Sequence, residues 1–381
     1  MTPRSFPEFF RFPIPIPIPA VPVVARRCLR LAYAFAFVTW VAFTAEAQPK
    51  GAEKLLSGTP PPRPSPVPQG TAVLQPSEAP IQIRIGPYFG WERSWTIGNG
   101  KVEAVVVPAI GRVMQFRFVG RTSAFWEDPS LRGTNPDPAS SEWGNFGGDK
   151  TWPSPQADWG RITGRGWPPP KAFDSMPVEA SVRRDGIVIS SPVDPHFGIR
   201  TERFLRLEHD APVMTIVTTY EKVTGDPVEV GVWIITQLED PVAAFALLPP
   251  KSIFPDGYNR QSGDVLPADL KVDGRLVSLK RDPTRASKIG TDSDRLLWVG
   301  TGQMLLIESP RVPGARYPDH ESSAEIYTNP DPKTYVELEM LGPLHRMNPG
   351  DRISQTNTYT LMLRRDPDAA AEARRVLLEG R

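Results

Sequence analysis

From Ile81 to the C-terminus, short apolar segments recur between turn residues at a spacing that predicts one strand after another. They are Ile81–Ile85, Trp91–Ile97, Lys101–Val107, Arg112–Val119, Ile187–Ser191, Gly198–Leu207, Val213–Lys222, Val228–Gln237, Arg295–Val299, Gln303–Ile307, Tyr335–Leu341 and Ile353–Leu363. Many are rich in Val, Ile, Thr and aromatic residues, which pack well on a pleated surface. Gly98-Asn99-Gly100 and Asp185-Gly186 read as hairpin punctuation. The longest segments, Gly198–Leu207 and Val213–Lys222, imply extended sheets, and each sheet needs a second layer over its core side. The pattern therefore predicts an all-β antiparallel sandwich over residues 81–381, followed by one short C-terminal helix. Asp366-Pro367-Asp368 supplies that helix with a cap and a first-turn proline, and Leu377 and Leu378 can pack back onto a sheet.

Two stretches break the rhythm. Residues 128–177 carry Trp143, Trp152, Trp159 and Trp167 among many glycines and prolines, which predicts a long aromatic loop without strands. Loops of that length in a compact domain are functional or disordered, and the tryptophans argue against disorder. Residues 48–80 hold too little apolar surface to offset the entropy of ordering, so a proline-rich disordered linker is expected there. Ahead of it, Arg26, Arg27 and Arg30 precede the apolar run Leu31–Phe43 and then Ala45-Glu46-Ala47. That order predicts a signal peptide, residues 1–47, cleaved after Ala47. The run is shorter than the roughly 20 residues a membrane-spanning helix needs. An uncleaved anchor is the alternative. Export to the periplasm or the extracellular space is expected, with no stable membrane span after cleavage.

Charge and composition then exclude several classes. Lys+Arg 44 against Asp+Glu 43 leaves a net charge of +1, too weak a field to gather a polyanion, so nucleic acid is not an expected partner. The sole cysteine, Cys28, lies in the predicted signal, so disulfides cannot stabilise the mature protein. His196, His209, His320 and His345 show no metal-binding spacing, and no metal or other cofactor is expected. No G-x-S-x-G nucleophile motif occurs, and Gly147-Gly148-Asp149-Lys150 lacks the spacer of a phosphate-binding loop.

Two constellations remain. Aromatic rings on a rigid scaffold suit sugars, whose C–H faces stack on them while polar side chains bond the hydroxyls. Trp143, Asn145, Asp149, Lys150, Trp152, Gln156 and Trp159 supply both within a short span. The plain alternative is that these tryptophans cap the end of a core, since Trp is highly buried on average. In Tyr335–Leu341, alternation sends Val336, Leu338 and Met340 to one face and Glu337 and Glu339 to the other, roughly 7 Å apart. Such a carboxylate pair can do acid/base work at an anomeric centre; an ordinary solvated strand face is the alternative. His196, in Asp194-Pro195-His196, and His345 sit at loop positions open to a general acid.

Several blocks together resemble the galactose-mutarotase-like superfamily. Asn99-Gly100-Lys101 through Gly111-Arg112-Val113 looks like its opening strand and turn, and Asn145–Trp152 resembles its substrate-side loop. Phe197–Leu207, Val213–Lys222 and Pro227–Trp233 resemble its central hairpins, and Tyr335–Leu341 with Met347–Asp351 its closing strands. Within the superfamily the chain is similar to a group of exported proteins known only as a domain of unknown function. The resemblance implies a β-supersandwich with a sugar-binding concave face, and it puts Glu339, with Glu337 second, near the family's glutamate base. The chain departs from the pattern where a mutarotase has histidines. Thr236-Gln237 end the central strand, and Asp149-Lys150 occupy the neighbourhood of the loop histidine.

The expectation is a monomeric carbohydrate-binding protein, its ligand among Arg112, Asn145, Asp149, Trp152, Gln156, Trp159, Arg200 and Gln237. In an enzymatic version, aldose-epimerase-like or otherwise sugar-active, Glu339 takes a proton and Lys150 or His196 gives one. The alternatives are a non-catalytic envelope recognition or structural module, or an accessory domain of a polysaccharide lyase or hydrolase.

Overall fold

A computed structural model describes residues 80–137, 140–261, 266–267 and 269–380. The expected signal peptide, and the expected linker apart from Pro80, lie outside the described residues.

Strands β1 (Gln82–Tyr88), β2 (Trp91–Gly98), β3 (Val102–Val107) and β4 (Arg112–Phe118) form a consecutive meander, joined at its edge by β5 (Asp149–Ser154). The chain then builds a second sheet with β6 (Glu179–Arg183), β7 (Gly186–Ser190), β8 (Ile199–Leu207) and β9 (Val213–Lys222). It returns to the first with the twelve-residue β10 (Val228–Glu239). From there β11 (Ala243–Leu247), β13 (Lys271–Asp273), β14 (Leu276–Leu279), β16 (Arg295–Val299), β17 (Gln303–Glu308) and β21 (Arg352–Leu363) belong to the second sheet. The short β12 (Asn259–Arg260), then β15 (Ser287–Thr291), β18 (Ala324–Thr328), β19 (Tyr335–Leu341) and β20 (His345–Met347) belong to the first. The result is an eleven-stranded sheet facing a ten-stranded one, paired antiparallel throughout. A C-terminal helix, Ala369–Ala373, runs into a π-helical turn at Arg374–Leu378. Asp368 caps it by accepting from the Ala370 N–H, and Val376 and Leu377 are buried against the second sheet's outer residues Phe245 and Leu297.

The core lies where the two inner faces meet. Val336, Leu338 and Met340 from β19, Ile326 from β18 and Val113 from β4 pack against Leu205, Ile216, Leu305 and Leu361 of the opposite sheet. A polar clamp crosses this apolar layer. Asp149 is paired with Arg203 of β8 and accepts hydrogen bonds from Tyr359 Oη of β21 and Thr236 Oγ1 of β10, each at 2.7 Å. Every group in the clamp is partnered, which is the condition for keeping a buried charge.

One expectation about elements fails here. Residues 128–177 contain β5, which pairs with β10 over six consecutive positions inside the first sheet. Its sequence, Asp-Lys-Thr-Trp-Pro-Ser, lacks the β-branched alternation that signals a strand, because it is buried on both faces and polar on both. It meets β4 only at Val113–Asp149, which leaves its far half flanked on one side, a setting in which a strand tolerates a proline such as Pro153. The rest of the segment is turns and short helices, including Trp159–Thr163 and Lys171–Asp174.

Candidate functional site

The pleat of the first sheet sorts its polar residues. On β5, Asp149 and Thr151 point between the sheets, where Thr151 meets Tyr220 of β9, so Lys150 and Trp152 point outward. Register carries that outward face across the sheet. Lys150 is opposite Ile235, which is opposite Glu339, which is opposite Glu325 on β18. The neighbouring row runs Gln237, Glu337, Tyr327 and Lys288. In the third row Trp152 sits opposite Trp233, which sits opposite Leu341.

This outer face is mostly closed to solvent. Lys150, Gln237, Glu325 and Glu339 are each 0% exposed, while the side chains of Glu337 and Lys288 keep 13% and 17%. Lys288 Nζ lies 2.6 Å from Glu325 and 2.8 Å from Glu339. Glu339 Oε2 also accepts from Trp233 Nε1 at 2.7 Å. Lys150 Nζ is 3.6 Å from Glu337 and 4.9 Å from the centre of the Trp152 ring, and Lys288 stands 4.7 Å from that of Trp233. Several buried atoms on this face make no close hydrogen bond: Lys150 Nζ, both ends of the Gln237 amide, Glu339 Oε1 and Asn145 Oδ1, with Glu337 beside Lys150 and the Tyr335 phenol beside Gln237 and Asn145 only as looser neighbours. Native interiors leave few such groups, and a cluster of them marks a place where something else completes the bonding.

Burial and charge tune these groups in opposite directions. Desolvation lowers the Lys150 ammonium to about 8 even though Glu337 opposes it. Desolvation pushes the Glu337 carboxyl up despite Lys150, with Glu339 adding repulsion. The two pKa values therefore converge, the arrangement in which a proton passes easily between partners. For Lys288, burial is outweighed by Glu325 and Glu339, which hold its ammonium above the usual lysine range. Glu325 is driven well above the carboxylate range by burial, against the pull of Lys288.

The structure brings together part of the expected set. Glu337, Glu339, Lys150, Trp152, Gln237 and Asn145 share this region, with Asn145 beside the Tyr335 hydroxyl. Asp149 points the other way, into the inter-sheet clamp, because adjacent residues of a strand face opposite sides. Arg112 is fully buried and committed: its guanidinium donates to Asp174 Oδ1 at 2.7 Å, the Asp174 carbonyl at 3.3 Å and the Gly147 carbonyl at 2.8 Å. Trp159 is buried behind the site, donating to the Pro153 carbonyl, with its ring 5.5 Å from Trp152 and 6.4 Å from Trp233. Gln156 is exposed on the turn after β5. His196 is exposed ahead of β8, and Arg200 lies on the outer face of the second sheet, so neither joins Glu339. Arg200 lines an open groove of about 550 Å³ there with Glu202 and Glu221. Those glutamates pair with Arg183 and Arg352, so the groove lacks the unpartnered groups seen around Glu339.

Four contributors escaped the sequence reading: Asp174, Lys288, Glu325 and Trp233. Asp174 accepts from Arg112, from Trp152 Nε1 at 2.9 Å and from Trp143 Nε1 at 3.1 Å, and so orients the aromatic wall. Lys288 and Glu325 lie on five-residue strands, Ser287–Thr291 and Ala324–Thr328, too short and too polar for their alternation to stand out. Trp233 was visible as part of a strand, but only its pairing opposite Trp152 reveals its role. Among the described residues, no group of three or more His, Cys, Asp or Glu is placed to hold a metal ion.

No family model matches this sequence, and no curated protein matches it either. Solved structures do match. A galactose mutarotase-like protein from Lactobacillus casei is 9% identical, with a TM-score of 0.50 over 71% of this chain and 100% of that one. A galactose mutarotase related enzyme from Lactobacillus acidophilus is 11% identical, with a TM-score of 0.44 over 71% of this chain and 97% of that one. The protein has the galactose-mutarotase-like fold, a two-sheet antiparallel sandwich. The narrower likeness to one exported group within the superfamily rests on the sequence blocks alone.

Proposed function

We propose that this protein binds a carbohydrate on the outer face of its eleven-stranded sheet, among Lys150, Gln237, Glu337 and Glu339, and that the Lys150–Glu337 pair moves a proton at the bound sugar. The observation that carries the reading is the set of buried, unpartnered polar atoms concentrated on that face. Sugar hydroxyls both donate and accept, so they suit the mixture of ammonium, amide and carboxylate atoms offered there. Trp152 and Trp233 supply the apolar wall. Glu339, held by Lys288 and Trp233 through one oxygen, presents the other as a fixed acceptor, while Glu337 keeps access to solvent and has the neighbour of converging pKa. The signal-like N-terminal sequence supports placing this activity outside the cytoplasm, and a monomer is proposed.

Titration with monosaccharides, followed by tryptophan fluorescence and by the rate of anomeric exchange in NMR, tests the reading. Glu337→Gln should leave binding largely intact and slow exchange by about 10²–10⁴-fold, the usual weight of a positioned acid/base group. Glu339→Gln should weaken binding. Binding without accelerated exchange would reassign the protein as a recognition module, a reading favoured by Thr236 and Gln237 at the end of β10 in place of a histidine; no binding to any sugar would end the proposal.

A further inference from the structure

The outer-face cluster holds more carboxyl groups than lysines to pair with them. Lys150 and Lys288 face Glu325, Glu337 and Glu339, and a further carboxylate, Asp319, arrives from the turn at Pro318–Glu321 and interacts with both Lys288 and Glu339. That turn is left-handed, with φ of 49° at Asp319, 59° at His320 and 70° at Glu321. Each such residue costs roughly 1–2 kcal/mol relative to ordinary helical backbone. The turn is held in place by Gln261 and Ser322 donating to the Asp319 carbonyl, at 2.6 and 2.8 Å, and by Arg311 donating to the Glu321 carbonyl at 3.0 Å. Strain of this kind persists only where the surroundings over-determine it. Here it delivers a carboxylate to a site already rich in them.

Nearby groups do not redress the balance. Arg112 is taken up by Asp174, Lys333 by Asp128 at 2.8 Å, and Arg311 lies beside Glu321. The phenols of Tyr327 and Tyr335 are pushed up by burial and by the neighbouring glutamates, and so stay uncharged. His320 is exposed. The unpartnered atoms are of both kinds: oxygens of Glu325, Glu339, Gln237 and Asn145 accept, and Lys150 Nζ and Gln237 Nε2 donate, so the excess lies in the carboxyl groups and not in the count of free donors.

Resting on the reading of this face as a sugar site, we propose that its ligand is a sugar bearing a protonated amino group, and that the face rejects sugar acids and sugar phosphates. An ammonium among Glu337, Glu339 and Asp319 would form charge-assisted hydrogen bonds in a water-poor setting. A carboxylate or phosphate would add a like charge where neutralising it is costliest. Burial holds the carboxyls of Glu325, Glu337 and Asp319 above their ordinary range, and an arriving cation shifts them back toward the ionised form.

The test titrates the full chain at pH 7 with glucosamine and galactosamine, against glucose, galactose and glucuronate, by calorimetry in buffers of different ionisation enthalpy. The amino sugars should bind at least about tenfold tighter than their neutral parents, with net proton release, and glucuronate should bind most weakly. Asp319→Asn, which suits the left-handed backbone, should shrink the ratio of amino-sugar to neutral-sugar affinity. Equal affinity for amino and neutral sugars, or tighter glucuronate binding, overturns the inference and leaves the sugar site standing. Failure to bind any of the probes removes the sugar site and the inference together.

Discussion

At the scale of single residues, the site depends on groups that water would ordinarily keep in check. Lys150 is the sharpest case: its ammonium is buried with no close hydrogen bond, Glu337 stands 3.6 Å away, and its pKa falls to about 8 because desolvation outweighs that carboxyl. The sign of its effect on stability follows from proton counting. Between about pH 8 and its ordinary value of 10.5, the unfolded chain holds a proton on this lysine that the folded chain has lost, so stability rises with pH across that window. Below pH 8 the full penalty applies. Above pH 10 the buried tyrosines, Tyr335 among them, act in the opposite sense, because their phenols ionise first in the unfolded chain. Urea denaturation from pH 7 to 10 should therefore show an alkaline gain that Lys150→Met removes; an unchanged profile in the variant would mean that Lys150 carries an ordinary pKa. Lys150 was legible in the sequence as a candidate. Its environment was not, since Glu337 lies far along the chain and reaches it only through the register of β5, β10 and β19.

At the scale of elements, β5 decides whether the site exists. Its entry depends on Gly147 and Gly148, both at positive φ, and a Cβ on Gly147 would collide with the Trp126 carbonyl oxygen. That close approach lets the preceding loop return against β10, where the Gly148 N–H donates to the Trp126 carbonyl and β5 begins. Gly147→Ala combines backbone strain with a clash against main chain and should cost more than about 1–3 kcal/mol in thermal or urea unfolding, with altered near-ultraviolet dichroism from the Trp152 and Trp233 pair. A variant as stable as the parent would show that the loop has another way in. The Tyr335–Leu341 strand, by contrast, stands where its alternation predicted, and Glu337 and Glu339 share a face as expected. That face proved buried and not solvated: the Trp126 ring lies 4.6 Å from that of Tyr335 at one end of the strand, and Glu339 is fully buried.

At the scale of the whole molecule, the two sheets are locked through Asp149, which faces the partners Arg203 and Tyr359 across the core. Removing one member of a buried pair leaves the other charge uncompensated, typically at a cost of 3–5 kcal/mol. Asp149→Ala should lower stability on about that scale, measured by equilibrium unfolding, and should weaken sugar binding only as far as it loosens β5. Loss of binding with stability intact would return Asp149 to the ligand side of the sheet.

The sequence by itself determined the class of fold. Periodic apolar segments with turn residues between them bury only as paired sheets, and strands such as Val213–Lys222 and Tyr335–Leu341 appear where local pattern placed them. It also determined that two glutamates share a strand face and that tryptophans gather near Lys150. The tertiary structure alone decided which charges meet. Pairing across strands far apart in sequence set Lys288 against Glu325 and Glu339, drew Arg112 into a bond with Asp174, and turned Asp149 inward. Local pattern reports which way a side chain leaves its own strand; what it meets there depends on strand order, register and the segments laid over the sheet, and those are set by long-range packing.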